Sequence, residues 1–455
     1  MSQSQKDRQV QGNLARFICF RMFFNARFYY PVFALLFLEH GLTWEEFGIL
    51  NGIWALSIIL LEVPSGALAD TIGRKRLIVL AALCMMIEML ALLFAPMDGG
   101  ASVFFLFALN RIISGVAEAA VSGADEALAY DSLKAVGREK EWGAVLEKAQ
   151  RFTSLAFFFA MMTGSAFYDP SFVNYCLTFL GIDYEFSAKV LIKAPILLTL
   201  FSSIVVLIAA RGMKENQAKQ KAHSFTATIR LSFKATIEGG SWIWKTPLPL
   251  GILLASMVLD NVIRQFLTIA SAYWSVIDLP LATFGLVASG MSLMGYFVPR
   301  MAKFLADKRT PAQNFFLLCG LLMIGLLGIA EAIPYWGILP AILLYATMQC
   351  MNYLSSRYLN EKAPSDKRAT VLSFRGLSTN VSYGAVSLLY SSLIAWIKLQ
   401  GVDPVIKGRM LNEQDSVFVE ALGWFPWYFV FTLGCATLFF RLRFRKNPSR
   451  TNDRS

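Results

Sequence analysis

Apolar runs of about twenty residues recur along almost the whole chain, and that is the length a helix needs to cross a hydrocarbon core of about 30 Å. Residues 77–96 and 312–333 are examples. In such a run only a helix pairs every backbone N–H and C=O internally. The fold class that follows is an all-α integral membrane protein. Read with loose boundaries, the spans are 14–38, 45–68, 77–96, 101–125, 145–168, 188–211, 247–275, 281–304, 312–333, 337–360, 370–398 and 423–443, about twelve transmembrane helices in all.

Composition agrees. Of 455 residues, 56% are hydrophobic and 16% charged, far fewer charges than a soluble chain of this length carries. The net charge of +11 is not a nucleic-acid signature. Lys189, Lys193, Lys398, Lys407 and Arg409 fall on one predicted side of the membrane, and most of the other basic residues crowd the opposite side. That asymmetry is the positive-inside pattern, and it places both termini in the cytoplasm. The protein is therefore expected in the cell inner membrane, multi-pass, with the lipid bilayer and not nucleic acid as its surroundings, and as a monomer. The cysteines show no metal-ligand spacing and neither His40 nor His223 lies in a span, so no cofactor or metal is expected.

The longest predicted cytoplasmic break, 212–246, carries Lys214, Lys219, Lys221, Arg230 and Lys234. It divides the chain into an N-terminal bundle (1–211) and a C-terminal bundle with a basic tail (247–455), each of about six helices. Residues 224–237 are expected to form an amphipathic helix on the inner membrane face. Two longer outer loops are expected at 169–187 and 399–422, the second a solvated lid with Asp403, Glu413, Asp415 and Glu420.

The segment Gly66-Ala67-Leu68-Ala69-Asp70-Thr71-Ile72-Gly73-Arg74-Lys75-Arg76 resembles the signature loop of the major facilitator superfamily, G-x-L-x-D-x-x-G-R-[KR]-[KR], and falls between the second and third spans as it does in that family. Gly66 is expected to allow close helix approach and Gly73 a tight reversal, with Asp70 pairing Arg74. Leu305-Ala306-Asp307 echoes the loop in the second half. Asn110 to Glu118 is similar to the R-x-x-x-G motif of proton-coupled members, with Ser114 where Gln or Gly is usual. The resemblance implies the major facilitator fold, two six-helix bundles working by alternating access. It also implies a cytoplasmic latch at Gly66, Asp70, Gly73 and Arg74, to which Asp125 and Asp131 at the inner end of span four are added. The glycine-rich, Gly-Pro motif of drug–proton antiporters is missing from span five, which holds only Gly164 and Ser165 near its end.

Ionisable groups at bilayer depth cost at least about 2.5–3.5 kcal/mol, so they should face a partner or water. Arg111, Glu118 and Asp125 stand seven residues apart in span four, on one helix face, with Glu118 about 10 Å inward of Arg111. Asp260 and Arg264 form an i,i+4 pair in span seven, either a neutralised structural pair or a gating and proton pair. Span one contributes Arg27 and Tyr30; span ten contributes a stripe of Tyr345, Gln349 and Asn352. The expected cavity residues are therefore Arg27, Tyr30, Arg111, Arg264, Tyr345, Gln349 and Asn352. Glu118, without a fixed partner, and Asp260 are the expected proton-coupling residues. Glu62 and Glu88 read as interhelical glue, and Arg357 and Arg375 as residues reaching to the interface.

No catalytic set of the kind a membrane-embedded enzyme needs is evident, and no signalling domain. A small-molecule substrate and protons are the expected partners. Three cavity cations against two central carboxylates lean towards an anionic or zwitterionic solute; a multidrug-type antiporter exporting amphipathic compounds is the alternative.

Overall fold

The computed structural model describes residues 3–215, 225–364 and 368–444, except the side chains of residues 3, 4, 67, 70, 225, 226, 235, 296, 368 and 369. Lys219 and Lys221 of the expected linker, and the side chain of Asp70, lie outside the described residues. Helices dominate: α1 (Gln3–Asn25), α2 (Phe33–Glu39), α3 (Trp44–Ile72), α4 (Arg74–Leu93), α5 (Gly100–Val121), α6 (Ala124–Lys134), α7 (Trp142–Tyr168), α8 (Pro170–Phe179), α9 (Ala188–Leu191), α10 (Ala194–Gly212), α11 (Phe225–Lys245), α12 (Pro247–Val276), α13 (Phe284–Lys308), α14 (Pro311–Ala330), α15 (Ile338–Lys362), α16 (Arg368–Gln400), α17 (Glu413–Gly423) and α18 (Phe425–Phe444). The strands among the described residues are Val405–Ile406 and Arg409–Met410, an antiparallel pair.

Nine stretches among the described residues are long and apolar enough to cross a membrane. Parts of the chain expected to do so lie in α1, α7 and α15, which are long enough but more polar. Lys6, Asp7, Arg8, Arg16 and Arg21 lie in α1; Glu147, Lys148 and Arg151 in α7; Arg357, Glu361 and Lys362 in α15. The first span is also not one helix. It breaks after Asn25, passes through a short 3-10 turn at Tyr30–Val32 containing Pro31, and resumes as α2.

Local chemistry sets many helix ends. The Thr43 hydroxyl accepts from the Glu46 N–H while the Glu46 carboxylate accepts from the Thr43 N–H, a reciprocal cap on α3. Gly73, at φ 100°, reverses the chain between α3 and α4. The α4 N-terminus is then capped from a distance: the Glu215 carboxylate accepts from the N–H groups of Arg74 (2.8 Å) and Lys75 (3.2 Å). Anions are favoured there by the helix dipole. Pro311 opens α14 behind a Thr310–Gln313 capping box.

Contacts group the chain into two units, Met1–Phe233 with Thr268–Leu293, and Lys234–Leu267 with Met294–Ser455. In the first, Phe17, Phe20, Phe24, Ile78, Met85 and Val206 pack α1, α4 and α10 together. Gly115 lets α5 approach α3 closely: a Cβ there would lie 2.5 Å from the Ser57 Cβ and 3.2 Å from the Trp54 carbonyl oxygen. Gly66, expected to do the same, has nothing within 4 Å of such a Cβ among the described residues, so close approach belongs to Gly115 instead. In the second unit the expected solvated lid is partly a packed helix. Val417, Phe418, Val419, Ala421 and Leu422 of α17 are buried, and its acidic residues Glu413 and Glu420 are exposed.

Candidate functional site

In the first unit the site is made by the break in the first span. The Thr199 hydroxyl of α10 accepts from the Phe28 N–H at 3.0 Å, and Gly164 of α7 leaves room for the Phe28 carbonyl, which a Cβ would strike. Held in this way, the chain turns Arg27 inward until it is 1% exposed. Its Nη1 donates to both carboxylate oxygens of Glu88 at 2.9 Å, and its Nη2 to Glu118 Oε1 at 3.3 Å. The Tyr29 hydroxyl adds a bond to Glu88 Oε1 at 3.2 Å. Arg111 Nη2 lies 3.8 Å from the same oxygen and donates to Asn110 Oδ1 at 3.2 Å. The Asn110 amide in turn donates to the Glu88 carbonyl at 2.9 Å. Phe33 and Phe37 pack their rings 5.2 and 5.4 Å from the Arg111 guanidinium, a favourable cation–π setting.

Two guanidiniums thus face two carboxylates, and only one carboxylate reaches the edge. Glu88 is fully buried, whereas the Glu118 side chain is 36% exposed. Tyr30, 40% exposed, stands beside Arg27. Arg27 holds both oxygens of Glu88 independently of its longer bond to Glu118.

In the second unit, Asp260 and Arg264 of α12 meet at 2.6 Å. Arg264 Nη1 also donates to Asn380 Oδ1 at 2.8 Å and lies over the Tyr383 ring. On α15, Gln349 donates to the Tyr345 hydroxyl at 2.9 Å, and Asn352 Oδ1 accepts from Arg375 Nη2 at 2.9 Å.

Several expectations change. Glu118 has a partner, Arg27. Glu88, read as glue, is the hub of the first cluster; its signal was its position as the lone charged residue between Arg76 and Asp98. Tyr29 was missed, because nothing but the break in the helix distinguishes it from Tyr30. Arg375 is turned onto Asn352 instead of reaching to the interface, whereas Arg357 pairs with Asp307 and Glu361. At the expected latch, Arg74 pairs with Asp131, and Asp125 pairs with Arg21 of α1 at 2.9 Å. No group of three or more His, Cys, Asp or Glu suited to a metal occurs among the described residues.

Long apolar helices that turn their few charges onto each other inside the protein define a multi-pass membrane protein. The chain belongs to the Major Facilitator Superfamily, whose family model matches residues 17–387. This is a family of transporters, not enzymes. Solved structures share the fold. A bacterial homologue of the human lysosomal transporter Spinster, in an inward-facing unoccupied conformation, has a TM-score of 0.67 at 14% identity over 98% of each chain. The nucleoside transporter NupG has 0.66 at 12% identity over 96% of this chain and 99% of its own. A D-xylose-proton symporter has 0.60 at 13% identity over 93% and 96%. No curated protein sequence matches the chain.

Proposed function

We propose that the chain is a secondary active transporter that moves a small organic solute, anionic or zwitterionic, across the inner membrane by proton-coupled alternating access. The observation that carries this is Glu118, a partly exposed carboxylate whose one arginine partner is independently held by Glu88. A group in that setting can load and release a proton while Arg27 keeps its bonds to both oxygens of Glu88. Glu118 is the proton carrier in this reading and Glu88 its electrostatic counterweight; Asp260 is a second titratable group, in the other unit. Arg27, Tyr30, Arg111, Arg264, Tyr345, Gln349 and Asn352 line the solute's route.

About twelve spans in two bundles, split near residues 212–246 with both termini cytoplasmic, complete the reading. The protein works as a monomer. Gly73, Arg74 and Asp131 form the cytoplasmic latch, with Gly66, Asp70 and Asp125 at its margin. A D-xylose-proton symporter among the structural neighbours is in keeping with a small polar solute and a proton. The aromatic rings around Arg27 and Arg111 favour a second reading, export of amphipathic compounds against protons.

Purified protein in proteoliposomes separates these. With an inwardly directed proton gradient, symport predicts accumulation of an anionic or zwitterionic solute well beyond its level without the gradient. Indifference to the gradient removes proton coupling, and proton flow opposite to a lipophilic cation selects the export reading.

A further inference from the structure

The two clusters differ in how their charges are matched. In the first unit Arg27 and Arg111 share Glu88 and Glu118. In the second, Asp260 is committed to Arg264 at 2.6 Å. Among the described residues Arg375 has no such partner: its hydrogen bond is to an amide oxygen, Asn352 Oδ1 at 2.9 Å, and its buried Nε has no acceptor. It sits seven residues into α16, about 10 Å along the helix from Arg368, yet turns inward to α15. Asp260 and Arg264 both lie within electrostatic reach of it, which leaves two guanidiniums around one carboxylate.

A guanidinium kept in this position with no carboxylate bonded to it among the described residues is poor design for a purely structural residue. A salt-bridged or apolar side chain would serve the fold better, and an ionisable group inside a membrane domain marks function by default. Its planar fork suits a carboxylate, phosphate or sulfate group bound through paired N–H···O bonds. The Asn352 amide fixes the fork by one nitrogen, and Asn380 does the same for Arg264 at 2.8 Å.

We infer that Arg375 is the specificity-determining anchor for an oxyanion group of the solute, with Asn352 orienting it and Arg264 adding field. This rests on the transporter reading and deepens it: the recognised feature is a carboxylate- or phosphate-like group, and the arginines of the first unit, already matched, are not its primary site.

The test uses the purified full-length protein and thermal unfolding in citrate, inorganic phosphate or sulfate against chloride at equal ionic strength. At least one of the three raises the unfolding temperature of the wild type with a saturable dose response. Arg375→Gln weakens that response at least tenfold, Arg375→Lys weakens it less, and the unliganded Arg375→Gln protein is no less stable than the wild type. The last readout separates an anchor from a structural residue, whose loss would lower stability. A wild type indifferent to all three anions, or an Arg375→Gln protein that responds like the wild type, overturns the assignment. Failure of the transporter reading shows differently: proteoliposomes that move no solute, with Arg375-dependent anion binding intact, reject transport and support the anchor.

Discussion

The two polar clusters of this protein solve the same physical problem in opposite ways. Around Glu88, hydrogen bonds from Arg27 and Tyr29 and the nearby guanidinium of Arg111 converge on one fully buried carboxylate, and Glu118 completes the match at the exposed edge. Around Asp260, Arg264 is 28% exposed, and among the described residues the hydrogen bond of Arg375 goes to the Asn352 amide. A closed, charge-balanced network is suited to moving a proton without breaking. An open, charge-unbalanced one is suited to meeting a partner from outside the protein. On the proposed reading, burial and charge balance taken together separate a titrating cluster from a recognising one even where both are built from Arg, Asp and Glu.

The comparison is most exposed to failure at its hub. Glu88→Ala leaves Arg27 buried with only long bonds to Glu118 and the Tyr29 hydroxyl, and is expected to cost about 3–5 kcal/mol in denaturant or thermal unfolding. Next in size is Asp260→Ala, at about 1–3 kcal/mol, because Arg264 retains Asn380 and some access to water. Equal costs for the two would erase the distinction between a closed and an open cluster. Gly115→Val tests the frame that holds the first cluster: its branched side chain meets Ser57 and the Trp54 carbonyl, and overpacking of this kind costs about 1–3 kcal/mol. Arg74→Ala should be smallest in stability, at most about 1 kcal/mol, because its Asp131 partner is more than half exposed. Its effect belongs in transport rate, and a large loss of stability there would contradict the latch role.

Much of this was legible in the sequence, and the parts that were not share a cause. Helices such as α4, α10 and α14 announce themselves by unbroken apolar runs, since the bilayer leaves the backbone no alternative. The Arg74–Asp131 pair joins two residues assigned to the latch, one from the signature loop and one from the inner end of span four, although Arg74 was expected to pair with Asp70, and the reversal at Gly73 follows from its signature loop. The break at residues 26–29 was not readable, because it is stabilised by Thr199 and Gly164, far away in sequence. Glu118's partner was hidden with it: Arg27 points at Glu118 only once the helix has broken. Glu88 was visible as the single charge in its span but was undervalued, as nothing local says that an arginine waits opposite. α17 was taken for a solvated lid on the strength of its acids, although Val417, Phe418, Ala421 and Leu422 make a second, apolar face at helical spacing.

The central claim is that Glu118 carries the coupled proton while Glu88 keeps the cluster intact. It is tested most directly by proton movement in proteoliposomes loaded with a pH-sensitive dye and challenged with carboxylates, phosphorylated compounds, sugars and nucleosides. Wild-type protein should acidify the lumen on addition of an anionic or zwitterionic solute, and Glu118→Gln should abolish that acidification while still exchanging the same solute across the membrane. Solute-driven acidification of undiminished size in Glu118→Gln would contradict the account.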